Sequence, residues 1–225
     1  MVQIDAGGPS HVNEKDLQWI SGKRVLFLGD QDTPMLDALF LADTAAPIDP
    51  PIKLSGPLEV DGEVNGAFMR GDPGHVVYFA HLGDKTPTEM FRASIDMPGE
   101  VHKINGPLAA DTYLNSGAFS SSADGLRMVY TGQEIAGRVD LFLVDIAGET
   151  PGAPINLTSG LPADTDVALL GHLTPDAAQV VFATRRPDQQ RGALYMVPLS
   201  PEIGAPVQLT DEGETPLNYS VLFPK

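Results

Sequence analysis

Five histidines are the side chains of this chain best suited to moving protons or holding a metal near neutral pH: His11, His75, His81, His102 and His172. No two stand in a His-x-x-x-His frame, and the chain has no cysteine, so the spacing of a zinc site is missing. His75 precedes an apolar run at a turn, the place of an ordinary surface histidine. His172 differs. It interrupts Leu170-Gly-His-Leu173 where parallel stretches carry Ala67 and Ala118, and it is expected to face a channel or the core. Asp30-Gln-Asp32, Asp164-Thr-Asp166 and Asp211-Glu212 offer oxygen ligands, but none fits the EF-hand calcium loop. Their ordinary role is loop solvation. A glycosidase pair of carboxylates need not be close in sequence, and no pair is singled out.

Nucleophilic chemistry is no better provided for. A nucleophile elbow requires Gly-x-Ser-x-Gly so that the serine sits on a sharp turn, and no serine has that frame. Ser55, Ser116 and Ser159 precede glycines as turn or strand-end residues. Neither Gly-x-x-x-x-Gly-Lys nor a Gly-x-Gly-x-x-Gly opening a helix is present, which removes nucleotide-dependent enzymes. No catalytic residue, metal ligand or cofactor is therefore assigned.

What remains is a set of binding candidates. Asn65, Asn115 and Asn218 recur just before successive apolar stretches and could form a ring of amides that hydrogen-bonds a peptide or sugar. Asparagines capping turns would recur in the same way. Arg70 and Arg185, with Arg186, are rare positive charges in or beside loops, able to meet an acidic ligand or simply to be solvated. Asn156-Leu-Thr158 matches a glycan acceptor in form but belongs to a repeating motif.

These residues are carried by a period. Arg24-Val-Leu-Phe, His75-Val-Val-Tyr, Arg127-Met-Val-Tyr and Gln179-Val-Val-Phe begin at steps of 51, 52 and 52 residues. Segments beginning at Leu39, Met90, Leu141 and Leu194 step by 51, 51 and 53, and Lys53-Leu, Lys103-Ile, Asn156-Leu and Gln208-Leu step by 50, 53 and 52. Three series agreeing on one period of four short apolar strands predict propeller blades. The apolar runs suit strands covered on both faces, and no window carries a helical apolar stripe. The 23 glycines and 20 prolines punctuate the turns. The repeats fall at about 16–63, 64–113, 114–166 and 167–214, and residues 215–225 match the lead-in to the third repeat as an extra strand. Val2-Gln-Ile-Asp-Ala-Gly resembles the end of a third strand, as though the chain begins within a blade.

Charge narrows the partners. Fourteen Lys and Arg against 30 Asp and Glu leave a net charge of −16, which repels nucleic acid and anionic membranes. No run is long and apolar enough to span a bilayer. Residues 1–20 lack the basic start and apolar core of a signal peptide, so the chain is expected to be cytoplasmic or a mature or trimmed form.

Ser122-Ala-Asp-Gly-Leu-Arg and Thr174-Pro-Asp before an apolar strand, closing on Asn156-Leu-Thr and Gln208-Leu-Thr, resemble the TolB-type (WD-like) β-propeller repeat. The resemblance spans about 200 residues. It is weaker in the second repeat, with Gly71-Asp-Pro-Gly-His and Ile104-Asn-Gly-Pro, and in the first, with Ile20-Ser-Gly-Lys-Arg and Leu54-Ser. It implies an all-β propeller of four-stranded antiparallel blades and a periplasmic interaction protein, a propeller attached to a prolyl-oligopeptidase-type hydrolase, or a propeller lyase. Such propellers usually have more blades than four, so a closed ring, an arc completed by a second copy, and a segment of a longer propeller all stay open. The expected function is a non-catalytic scaffold for a protein or peptide partner, with a homodimer if the propeller is open. An accessory propeller of a peptidase, or a channel-site lyase or glycosidase, is the alternative.

Overall fold

The structure is a computed structural model that describes residues 12–20, 22–46, 49–68, 74–83, 86–108, 112, 114–186 and 192–211. The expected extra strand at 215–225 and the opening residues 1–11 lie outside the described residues. Each apolar run becomes the second strand of an antiparallel four-stranded sheet whose order follows the chain. The first blade is β1 (Val12–Trp19), β2 (Arg24–Gly29), β3 (Ala38–Asp43) and β4 (Ile52–Lys53). The second is β5 (Glu63–Phe68), β6 (His75–His81), β7 (Glu89–Ser94) and β8 (Val101–Lys103). The third is β9 (Leu114–Ser121), β10 (Arg127–Ile135), β11 (Arg138–Asp145) and β12 (Ile155–Asn156). The fourth is β13 (Asp166–Leu173), β14 (Gln179–Arg185), β15 (Leu194–Pro198) and β16 (Val207–Gln208). The outer strands are two or three residues long, which leaves little exposed ladder at each edge.

The chemistry behind the period is visible in each sheet. The fourth residue of the second strand lies opposite an aromatic of the third: Phe27 opposite Phe40, Tyr78 opposite Phe91, Tyr130 opposite Phe142 and Phe182 opposite Tyr195. All four pairs are stacked, with ring centroids 5.6, 5.4, 5.2 and 5.8 Å apart. Such a pair is worth about 0.5–1.5 kcal/mol beyond the area it buries.

The closing motif works as a clamp. Leu54, Ile104, Leu157 and Leu209 donate their backbone N–H to the carbonyls of Leu39, Met90, Leu141 and Leu194. In return, the N–H groups of those four residues donate to the next side chain along: Ser55 Oγ, Asn105 Oδ1, Thr158 Oγ1 and Thr210 Oγ1. Leu54-Ser and Ile104-Asn, the weak closes on sequence, therefore perform the same task as Leu-Thr. Any short side chain with an acceptor oxygen serves.

Successive sheets then pack face to face. One cluster joins Leu26, Leu28, Leu39 and Leu41 of the first blade to Val76, Tyr78 and Phe91 of the second. Another joins Val77, Phe79 and Met90 to Met128, Tyr130 and Phe142 of the third, and another joins Val129, Leu141 and Leu143 to Val180, Phe182 and Val197 of the fourth. Alternating side chains of one strand thus serve opposite junctions, which is why the second strands read as unbroken apolar runs.

Candidate binding surfaces at the first strands and the blade junctions

Asn65 lies inside β5 rather than before it. Val64 pairs with Ala80 and Gly66 with Phe79, so Asn65 is the extra residue of a bulge, a device that re-aims a side chain. It is exposed, and its Oδ1 lies 3.1 Å from His81 Nδ1, whose Nε2 lies 3.1 Å from the Asp61 carbonyl. Asn115 is likewise within its strand, β9, beside an irregularity between Leu114 and Phe119. Arg70 and Asn218 lie outside the described residues. Arg185 is exposed at the end of β14, opposite Asp166.

His172 is half-buried in β13, and burial holds its imidazole below the ordinary histidine value. Irregularities in β13 place it opposite Val181. That is the register position of Phe68 opposite Val77 and Ser120 opposite Val129, not that of Ala67 and Ala118. Sequence alignment missed the shift because the bulges differ between blades. Among the described residues, no three His, Asp or Glu side chains gather to hold a metal ion. Asp32 pairs with Lys53 at 2.8 Å, and Asp30 accepts the Met35 N–H.

The turns into the second strands are built alike in the last two blades. Ser122 Oγ donates to Asp124 Oδ1 at 2.5 Å, while Asp124 Oδ1 accepts the Leu126 N–H and Ser122 Oγ the Arg127 N–H. Thr174, Asp176, Ala178 and Gln179 repeat the arrangement. These hydrogen bonds, the hydroxyl's foremost, hold both aspartates below the ordinary carboxylate value. Gly125 takes φ +72° and Ala177 takes φ +53°, so the fourth blade keeps the left-handed turn at the cost of a Cβ.

Two junctions carry grooves of about 400 Å³, one of them beside these turns. The groove between the first and second blades is lined by the buried Leu41 and Ile95, the exposed Ile52, and the charged Asp43, Asp49, Asp96 and Arg24. Arg24 Nη1 crosses the junction to Asp96 Oδ1 at 2.9 Å. The groove between the third and fourth blades is more polar, lined by Asp124, Asp145 and Asp176 with Arg127 and Ser200.

The junction between the second and third blades is built differently. Leu41 pairs with Leu26, and its counterpart Arg92 pairs with Val77. Arg92 is 1% exposed, and its Nη1 and Nη2 donate to the carbonyls of Ile146 and Glu149 in the next blade. On sequence, Arg70, Arg185 and Arg186 were singled out and this buried arginine was passed over. Its signal was present: a charge at a third-strand position held by Leu41, Leu143 and Met196 in the other repeats. Tyrosine hydroxyls add to two junctions. Gly56 N–H donates to Tyr78 and Gly106 N–H to Tyr130, each at 3.4 Å. Burial pushes the Tyr78 phenol up to about 12, and burial followed by the Glu134 charge raises that of Tyr130. The fourth blade carries Phe182 at this position.

No helix among the described residues is long and apolar enough to cross a membrane. No family model and no curated protein matches the sequence. Solved structures do match. Dipeptidyl peptidase 4 of Porphyromonas gingivalis superposes with a TM-score of 0.64 at 15% identity, over 88% of this chain and 31% of that one. Prolyl oligopeptidase B of Galerina marginata gives 0.57 at 8% identity, over 91% and 31%. TolB of Acinetobacter baumannii gives 0.46 at 16% identity, over 88% and 44%. The chain spans about a third of the length of the two peptidases. Over the matched third of each peptidase it shares their fold, an all-β array of four-stranded antiparallel propeller blades.

Proposed function

We propose that the chain is a non-catalytic, TolB-like propeller scaffold that binds a positively charged protein or peptide. The observation that carries this reading is the pair of open, acid-rimmed grooves at blade junctions, set in a rigid frame whose net charge is −16. A field of that sign favours encounter with basic partners and disfavours nucleic acid. The rim turns of the groove between the third and fourth blades are pinned by their own hydrogen bonds, so a ligand there meets a surface that is already ordered. A random peptide display library panned on the immobilised full chain tests this. Enrichment of basic sequences with saturable binding is expected; no enrichment, together with turnover of a peptide or glycoside substrate, would overturn it.

A second reading has its own observation. The superposition on dipeptidyl peptidase 4 covers nearly all of this chain but under a third of the peptidase. On that ground the chain can serve as the accessory propeller of a prolyl-oligopeptidase-type enzyme, screening access to a hydrolase domain. Reading the coding sequence on both sides distinguishes the two: an in-frame α/β-hydrolase segment supports the accessory role, and stop codons bounding the chain remove it.

A further inference from the structure

The three described junctions are variations on one design, and one of them holds its own ligand. Between the second and third blades, the Arg92 guanidinium is buried and bridges two backbone carbonyls, Ile146 and Glu149. The residues 51 positions earlier, Ile95 and Pro98, line the groove between the first and second blades. Ile95 and Ile146 are structural equivalents: each donates its N–H across its own sheet, to Gly74 and to Leu126 respectively. The residue equivalent to Arg92 is Leu41, whose shorter, uncharged side chain leaves the groove open.

The rim adds a charge preference. Asp43, Asp49 and Asp96 against Arg24 leave the lining two charges negative, while Leu41, Ile52 and Ile95 supply apolar surface for an alkyl stem. An arginine side chain has both parts, a methylene stem that packs on apolar surface and a planar fork able to bridge two acceptors. Lysine supplies the stem but only a point donor.

We infer that the groove between the first and second blades is a docking site for an arginine side chain of a partner peptide, which takes the place that Arg92 fills one junction on. The inference rests on the scaffold reading and names the chemistry that this groove recognises.

The test titrates Ac-Gly-Arg-Gly-amide and Ac-Gly-Lys-Gly-amide into the full chain and follows backbone amide NMR shifts. The arginine peptide is expected to shift Leu41, Ile95 and Asp96 saturably, with the lysine peptide about tenfold weaker. Asp49→Asn combined with Asp43→Asn is expected to weaken the arginine peptide by about fivefold at low salt. Leu41→Arg, which supplies the groove with its own guanidinium, is expected to abolish binding. Because that variant introduces a charge into the core, the aspartate pair decides the matter if it fails to fold.

Equal binding of the two peptides, shifts confined to other junctions, or an unchanged affinity in the aspartate pair would each overturn the inference. The scaffold reading fails separately. Library peptides that bind tightly without arginine would remove the arginine site and leave the scaffold in place, whereas a library that yields no binder, together with turnover of a peptide or glycoside substrate, would remove the scaffold.

Discussion

The first two junctions place related residues around the same space and treat it oppositely. Between the second and third blades, Arg92 crosses the interface and donates to the Ile146 and Glu149 carbonyls. Between the first and second, Leu41 stops short, and the charged contact across the junction is the exposed ion pair of Arg24 with Asp96. The one junction trades an open groove for buried hydrogen bonds, and the other keeps the groove at the cost of weaker bridging. A repeat protein can therefore fill one interface and leave the next open by changing one side chain.

The largest effect expected is at the filled junction. Arg92→Ala leaves two carbonyls without donors and a cavity, and should lower unfolding free energy by about 3–5 kcal/mol in urea titrations. Arg92→Leu restores the residue type of Leu41 and should cost clearly less. If both variants match wild type, the two junctions do not differ in the way described.

Tyrosine hydroxyls bridge both junctions, so Tyr78→Phe and Tyr130→Phe should each cost about 0.5–1.5 kcal/mol. A pH dependence follows for Tyr78. Its phenol is raised from 10 to about 12 in the folded state, so the folded chain holds that proton more tightly than the unfolded chain. Its contribution to stability is complete below pH 10 and is lost as pH rises from 10 to about 12. Chemical denaturation across this window should show the loss in wild type and a smaller one in Tyr78→Phe.

At the third junction the two turns can be exchanged. Gly125→Ala should destabilise by about 1 kcal/mol, and Ala177→Gly should stabilise by a similar or smaller amount, because both positions require the left-handed backbone region. Thermal denaturation of the pair reads the sign directly.

The smallest effects belong to exposed charges. Arg24→Ala should cost no more than about 0.5 kcal/mol, since its partner Asp96 is largely solvated. Ser122→Ala should let the Asp124 carboxyl rise toward its ordinary value in a side-chain NMR titration. The stabilisation from that lowered carboxyl is present above the unfolded value and is lost as pH falls through the folded one. An unmoved Asp124 titration would show that the hydroxyl is not what holds it down.

Much of the fold was open to reading from residue order. The spacing of Arg24, His75, Arg127 and Gln179 located the second strands, because an apolar run covered on both faces has a local pattern. The candidate sites were less open. Asn65 and His172 took positions that depend on bulges, and a bulge changes the side-chain direction without changing the composition of the strand. Arg92 was hidden for another reason: a charge within an apolar strand has no local explanation, and its acceptors lie 54 and 57 residues away.

Residue order alone was enough for the period and the four-stranded blades, since each rests on contacts within a single repeat. The tertiary structure was needed to show which junction is filled, which stays open and which residue His172 lies opposite. Those outcomes depend on side chains from neighbouring repeats meeting across an interface, and local pattern carries no record of that meeting.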